Sequence, residues 1–139
     1  MPIGYLTRVI GFTATHRIRR ADWSRERNVR EFGNAADDHE HRYQCHVTVK
    51  GPLVPEAGGV MSLATLDALL VEEVTDRFGK RHINETVPQF ADGGWLATGE
   101  ALAVYVWGRL AGRLPPGVTM HAVRIQEDAD LYSEYFGEQ

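Results

Sequence analysis

The chain has 139 residues, 43% of them hydrophobic and 24% charged, with a formal net charge of −4 at pH 7. This length predicts one domain, residues 1–139, while the acidic balance argues against a nucleic-acid-binding protein and no apolar run approaches the ~20 residues of a membrane span. The single cysteine excludes an internal disulfide and no basic, apolar leader is evident at the N-terminus, so the sequence favours a cytoplasmic protein.

Two strands are predicted in the first half of the chain. Residues 3–16 and 39–50 carry the β-branched and aromatic side chains that are typical of strands. Residues 17–38 are polar and charged, and they are predicted to form a long loop or lobe. A loop of that length in a compact domain usually has a function.

Two helices are predicted in the second half. Ser62 is a plausible N-cap for a helix that carries apolar residues at helical spacing and ends at Gly79. Residues 80–97 are predicted to be irregular. Thr98 is a plausible cap for a second helix, which stops at Gly112.

Residues 118–127 and 131–136 are predicted to form a closing pair of antiparallel strands around a short turn. The order ββααββ predicts an α+β fold, with a four-stranded antiparallel sheet and two helices on one face. Because such a sheet has open edges, which favour pairing between chains, we expect the protein to form an oligomer.

A histidine pair stands at the start of the second strand. His39 and His41 are two residues apart, so both side chains project from the same face and could chelate one cation. His16, at the end of the first strand, is the best candidate for a third ligand, and zinc suits neutral imidazoles. A His-x-His pair alone is weak evidence, because a polar strand gives the same pattern.

The other candidate groups in this region are less suited to a site. His46 and His121 lack a partner at chelating spacing and are expected to have surface or core roles. Cys45 faces the same side as His41, but four residues of strand place it about 13 Å further along. We therefore expect Cys45 to be a small buried apolar residue.

An ordered series of short motifs runs along nearly the whole chain: F-T-A-T-H at 12–16, N-V-R-E-F-G at 28–33, H-E-H-R-Y at 39–43, G-G-V-M-S-L at 58–63, V-P-Q-F-A-D at 87–92, T-G-E-A-L-A-V-Y-V-W at 98–107 and V-R-I-Q-E-D at 123–128. In this order they resemble the motifs of the 6-pyruvoyl-tetrahydropterin synthases and the related 6-carboxytetrahydropterin synthases. The resemblance implies a tunnelling fold, in which trimers close their sheets into a barrel and two trimers stack into a homohexamer.

The resemblance also implies a set of site residues. A zinc ion would be held by His16, His39 and His41, and the pterin would be anchored by Glu127, whose carboxylate can accept two adjacent donors of the ring. Thr98 and Glu100 match positions that border the same pocket; Thr98 is either a ligand or only a helix cap.

The chain departs from the family at the acid–base residues. The catalytic cysteine expected just after Phe-Gly at 32–33 is missing, and the family's Asp-His dyad is Arg81-His82 here. An arginine disfavours a neighbouring imidazolium, so we expect His82 to be a neutral base or to be oriented by another acid. Asp37 and Asp38, directly before the zinc-binding strand, are the candidates, although two aspartates before a strand can also form a solvated turn.

The sequence therefore predicts a zinc-dependent lyase that acts on a reduced pterin such as 7,8-dihydroneopterin triphosphate. The reaction would be elimination of triphosphate or retro-aldol cleavage of the side chain. The arginines at 17, 19, 20, 25 and 27 could meet the phosphates or could form a plain solvated surface. Two alternatives stay open: a zinc enzyme of this fold with another substrate in a specialised pathway, and a non-catalytic pterin-binding protein.

Overall fold

The computed structural model describes residues 1–139 and is built on a five-stranded sheet. The strands are β1 (Ile3–His16), β2 (His39–Pro52), β3 (Arg81–His82), β4 (Thr119–Asp128) and β5 (Leu131–Tyr135). Their order across the sheet is β3-β1-β2-β4-β5. The four predicted strands are all present and antiparallel, which confirms the α+β prediction. The fifth, β3, runs parallel to β1 and has only two residues, too few to show a strand pattern in the sequence.

The long β1–β2 pairing sets the geometry of the molecule. It runs without a register shift from Ile3 opposite Pro52 to His16 opposite His39. Because side chains alternate across a strand, every second residue of β2 from Tyr43 to Val49 lies on one face and is fully buried. The predicted metal ligands lie at the end of this pairing where His16 is opposite His39.

The segment 17–38 is more ordered than predicted. It contains the helix α1 (Arg25–Phe32), followed by a 3₁₀ turn, so the prediction of a long loop was wrong for this part. Ser24 caps the helix, with its hydroxyl accepting from the backbone N–H of Arg27. Gly33 ends it with a φ of 62°, a conformation that favours glycine. The helix is short and almost wholly polar, so no apolar stripe marks it in the sequence.

The helix predicted after Ser62 is confirmed, with a local distortion. It comprises α2 (Leu63–Leu70), a π-helical segment (Val71–Thr75) and α3 (Asp76–Phe78), and it stops at Gly79 as expected. Within the π segment, Glu73 is buried and accepts hydrogen bonds from three arginines that neutralise it: Arg77, Arg109 and Arg113. This ion cluster fastens the helix to the last helix of the fold.

The prediction of an irregular region at 80–97 holds for only about half of it, because the region contains β3, the single turn α4 (Ile83–Thr86) and a 3₁₀ turn (Pro88–Phe90). The final helix, α5 (Gly99–Ala111), begins at Thr98 and ends at Gly112. The apolar sides of α2 and α5 pack with the buried face of the sheet into one core. None of the helices combines the length and apolar composition that crossing a membrane requires.

The opposite face of the sheet carries exposed apolar side chains. They are Ile3, Tyr5 and Val9 on β1, Tyr132 on β5, and Phe136 just after it. Exposed apolar groups gathered on one face are typical of surfaces that contact another protein chain.

Candidate active site

The ends of β1 and β2 bring three histidines together. His16 lies directly opposite His39, and His41 lies opposite Ala14, two residues along. The ring centroids of the three histidines are 4.4, 5.1 and 4.8 Å apart. One nitrogen from each ring can be chosen so that all three lie within 4.8 Å of one another, close enough to bind one metal ion. The convergence predicted from strand spacing is therefore present.

Backbone carbonyls orient two of these rings. Nδ1 of His16 lies 2.8 Å from the carbonyl oxygen of Ala97, and Nδ1 of His39 lies 2.8 Å from that of Asp37. A carbonyl oxygen can only accept, so each Nδ1 carries the hydrogen and each Nε2 keeps its lone pair. Metal-ligating histidines are commonly held in this way.

The electrostatics of the cluster suit a cation. His16 is fully buried, and its Nε2 has no hydrogen-bond partner within the protein. Burial lowers the pKa of His16 to about 4, and burial also lowers the pKa of His41. Neutral imidazole is the form that binds a metal, and a buried nitrogen without a partner normally indicates an unfilled interaction. The residues present therefore fit a metal ion.

A carboxylate borders the histidine cluster. Glu127 is near the end of β4, its side chain is only 10% exposed, and its Oε1 lies 3.8 Å from Nε2 of His16. Burial raises the pKa of Glu127, and the nearby carboxylates of Glu100 and Asp128 add to the shift. An acid held in this environment is a strong acceptor for a ligand that brings its own N–H donors.

The start of α5 supports the same corner of the site. Thr98 caps the helix, because its hydroxyl accepts from the backbone N–H of Ala101 at 3.2 Å. Glu100 in the first turn accepts a hydrogen bond from the hydroxyl of Ser133 at 2.9 Å. Thr98 is thus a helix cap, and Glu100 is held by Ser133 of β5.

His82 lies beside the end of β1, where β3 pairs it with Thr15. Its Nε2 is 3.1 Å from Oδ1 of Asp38. Arg81 turns away from His82, and its Nε donates to the carbonyl of Asp76 at 3.0 Å. Alternation along the strand sends neighbouring side chains to opposite sides.

The side chains of the two candidate aspartates, Asp37 and Asp38, also point in opposite directions. Asp37 pairs with the guanidinium of Arg25 at 2.6 and 3.1 Å, and this contact holds the pKa of Asp37 below its usual range. Asp38 turns to His82 instead. Partial burial favours its neutral form, but hydrogen bonds from His82 and Arg17 outweigh this and lower the pKa of Asp38. Of the two aspartates, only Asp38 lies beside His82, and it is nearer to Nε2 than Glu85, whose Oε1 is 4.0 Å away.

Comparison with known proteins identifies the family. A family profile described as 6-pyruvoyl tetrahydropterin synthase matches residues 5–138. The chain belongs to the 6-pyruvoyl tetrahydropterin synthase family. The 6-pyruvoyl tetrahydrobiopterin synthase of Poecilia reticulata is 36% identical over 98% of this chain and 92% of its own length, and that of Homo sapiens is 36% identical over 96% and 91%.

The fold agrees with this membership. The solved structure of 6-pyruvoyl tetrahydropterin synthase from Caenorhabditis elegans superposes with a TM-score of 0.89 at 27% identity, and the match covers 99% of this chain and 98% of that one. The tunnelling fold implied by the sequence motifs is therefore confirmed. The chain spans nearly the whole length of each of these relatives.

In this member of the 6-pyruvoyl tetrahydropterin synthase family, the only cysteine lies outside the histidine cluster. Cys45 is fully buried in the core, and burial raises its pKa to about 12, so it is an inert thiol as predicted. His46 and His121 also lie outside the cluster. His121 packs edge-on against Tyr5 on the open face of the sheet.

Arg17 is a site residue whose position sequence reasoning missed, since it was considered only as a phosphate contact. Its NH1 lies 3.1 Å from Oδ1 of Asp38 and 3.2 Å from Nε2 of His82. The signal available in the sequence was its position directly after His16. The other arginines of the segment contact protein groups at the surface: Arg19 with Asp92, Arg20 with Asp22, Arg25 with Asp37 and Arg27 over Trp23.

Proposed function

We propose that this protein is a metal-dependent lyase that eliminates triphosphate from a reduced pterin such as 7,8-dihydroneopterin triphosphate. The observation that carries the proposal is the convergence of His16, His39 and His41 beside the buried carboxylate of Glu127. Membership of the 6-pyruvoyl tetrahydropterin synthase family supports it, as do relatives named for the synthesis of a pyruvoyl pterin.

The metal in this proposal is zinc. Three imidazoles suit zinc, and three protein ligands leave a coordination position free, as in catalytic rather than structural zinc sites. Bound there, zinc would supply Lewis acidity that polarises oxygens of the substrate side chain. His16 would be the most rigid ligand, since it is buried and its ring is held by the carbonyl of Ala97.

Glu127 is the proposed pterin anchor. The 2-amino group and the adjacent ring N–H of a pterin are two neighbouring donors, which match the two oxygens of a carboxylate. Glu100 and Thr98 border this position from the start of α5; Glu100 contributes negative charge, and Thr98 sets the direction of the helix. A pterin ring bound at Glu127 would lie close to the histidines, because Oε1 of Glu127 is 3.8 Å from Nε2 of His16.

His82 and Asp38 are the proposed acid–base residues, in place of the cysteine that this chain lacks. His82 would take a proton from a carbon of the substrate side chain at Nε2, because its Nδ1 is buried. The carboxylate of Asp38, 3.1 Å from Nε2, would stabilise the resulting imidazolium against the positive charge of Arg17, whose NH1 lies 3.2 Å from the same nitrogen. The electron pair left on the substrate would then expel triphosphate. Asp37 has no part in this step, because its carboxylate is held by Arg25.

The proposal also covers the oligomeric state of the protein and its location in the cell. We expect one domain over residues 1–139 to form a homohexamer, a dimer of trimers, in the cytoplasm. Sheet edges and the exposed apolar side chains of Tyr5 and Val9 favour contacts between chains. Analytical ultracentrifugation tests the hexamer.

The decisive experiment is incubation of the zinc-loaded protein with 7,8-dihydroneopterin triphosphate, followed by mass spectrometry. The expected products are inorganic triphosphate and a pterin that is lighter than the substrate by the mass of triphosphoric acid. A pterin shortened by a two-carbon or longer fragment would indicate retro-aldol cleavage instead. Binding without any product would contradict a catalytic role.

A further inference from the structure

Arg17 connects three separate parts of the chain around the proposed acid–base pair. It follows the buried ligand His16 at the end of β1, and its side chain is only 11% exposed. NH1 of Arg17 reaches Asp38 and His82, while Nε and NH2 reach the carboxylate of Asp92 at 3.3 Å. A guanidinium therefore fills the space between three polar groups from distant segments.

The backbone of Arg17 is held as well. Its N–H donates to Oδ1 of Asn84 at 2.8 Å, and the side-chain nitrogen of Asn84 donates to the carbonyl of Phe90 at 3.0 Å. Asn84 is itself buried. The base of the Arg17 side chain and the segment that follows His82 are therefore fixed relative to each other before any ligand binds.

Asp38 needs such support. Its side chain is 52% exposed, and an exposed carboxylate paired with one imidazole is weakly held in water. The family resemblance implies an aspartate next to the histidine in sequence, a position that Arg81 occupies here, so the carboxylate must be brought to His82 from another segment. The planar fork of a guanidinium holds its donors in fixed directions towards two carboxylates, whereas the ammonium of lysine is a compact charge on a flexible stem and fixes neither direction.

We infer that Arg17 is a positioning residue that holds the carboxylate of Asp38 against Nε2 of His82. The inference rests on the proposed function, since it assigns a role in that reaction. Arg17 acts through Asp38 and His82. It fixes the position of the Asp38 carboxylate, whereas an aspartate at position 81 would be held next to His82 by the chain itself.

The competing explanation is purely structural, with Arg17 serving only to anchor Asp92 and its loop. Arg19 is the matched control, because its NH2 contacts the same Asp92 at 3.4 Å and none of its hydrogen bonds or ion pairs involves Asp38 or His82. If pairing with Asp92 were the only role of these arginines, kcat would be little changed in either variant, whereas a positioning role predicts a fall in kcat for Arg17→Gln alone.

The kinetic test is a double-mutant cycle on the zinc-loaded protein with Arg17→Gln, Asp38→Asn, both together, and Arg19→Gln. We expect Arg17→Gln to lower kcat at least tenfold with KM changed less than threefold, and Arg19→Gln to stay within twofold of the parent. The kcat of the double variant should be no lower than that of Asp38→Asn alone, because both changes disrupt the same contact between Asp38 and His82. Fully multiplicative losses, or equal effects at Arg17 and Arg19, would overturn the inference.

A second variant and a second readout keep the test independent of folding and of turnover. Arg17→Lys keeps the charge and most of the stem, and we expect it to bind zinc like the parent and to lose severalfold in kcat. In crystal structures of zinc-loaded Arg17→Lys and Arg17→Gln, the separation of Asp38 Oδ1 and His82 Nε2 should exceed hydrogen-bond distance. An unchanged separation near 3.1 Å would overturn the inference even if no pterin is turned over, which would separately refute the proposed function.

Discussion

Nε2 of His82 lies 3.1 Å from Oδ1 of Asp38, although Asp38 precedes β2 and His82 ends β3. The two strands are joined only through β1, which pairs with both. The proposed acid–base pair is therefore brought together by the sheet, because the two residues come from segments that are distant in sequence.

This contact predicts different effects for the two adjacent aspartates. Asp38→Asn removes the acceptor that orients His82, and we expect kcat to fall by about 10- to 100-fold, as for other groups that orient a reactive histidine. Asp37→Asn breaks only an exposed pair with Arg25 and should leave kcat within twofold. Steady-state kinetics on both zinc-loaded variants is the measurement. Equal losses at the two positions would show that the pair with His82 has no special part in turnover.

The histidine cluster predicts one metal ion per chain. Replacing His39 by Ala should reduce the bound zinc to about a tenth of the parent level or less, since three ligands become two. His121→Ala is the control, because His121 lies on the far face of the sheet against Tyr5. Elemental analysis after dialysis measures both. Zinc retained in His39→Ala but lost in His121→Ala would place the metal elsewhere.

Glu127 should govern pterin affinity. Glu127→Gln replaces one of the paired acceptors with a donor, and loss of charge-assisted hydrogen bonds worth about 1.5–3 kcal/mol should weaken pterin binding by about 10- to 100-fold. Glu134→Gln is the control, because that carboxylate pairs with Arg124 on the open face of the sheet. Fluorescence titration with neopterin reports the affinity. Undiminished binding by Glu127→Gln would remove Glu127 from the pterin site.

The metal-free protein should lose stability in acid because of His16. Burial holds the pKa of His16 at about 4 in the folded chain, below its ordinary value of 6.5, so the unfolded chain binds the proton more readily. Stability is therefore retained above pH 6.5 and lost as the pH falls towards 4. The contribution of His16 to this loss between pH 7.5 and 4.5 is about 2 to 3 kcal/mol.

Urea denaturation in the presence of a chelator measures that loss, with His16→Gln as the reference that cannot gain the proton. The raised pKa of Glu127 acts in the opposite direction, because a folded carboxylic acid that keeps its proton stabilises the chain at low pH. Comparison of the two proteins cancels this effect. Parallel pH profiles for parent and variant would mean that His16 does not contribute.

Much of the fold follows from local patterns in the sequence. Ser62 and Thr98 cap the helices that they were predicted to cap, since a capping hydroxyl satisfies N–H groups only three residues away. The spacing of His39 and His41 also placed both rings on one face, because alternation along a strand is a property of the backbone itself. These features need no information from distant residues.

The remaining features depend on contacts that no local pattern encodes. The helix α1 has no apolar stripe, and β3 exists only because it pairs with β1. The choice between Asp37 and Asp38 is of the same kind, since adjacent residues point in opposite directions and the neighbouring segments determine which one meets His82.

The amino-acid sequence by itself thus determined the strands, the two main helices, the family and the three histidines. Only the tertiary structure decided that Asp38 meets His82, that Arg81 turns away and that Arg17 lies between the two partners. The physical reason is range: caps and strand alternation act over a few residues, whereas these contacts join segments that the pairing of β1 with β2 and β3 brings together.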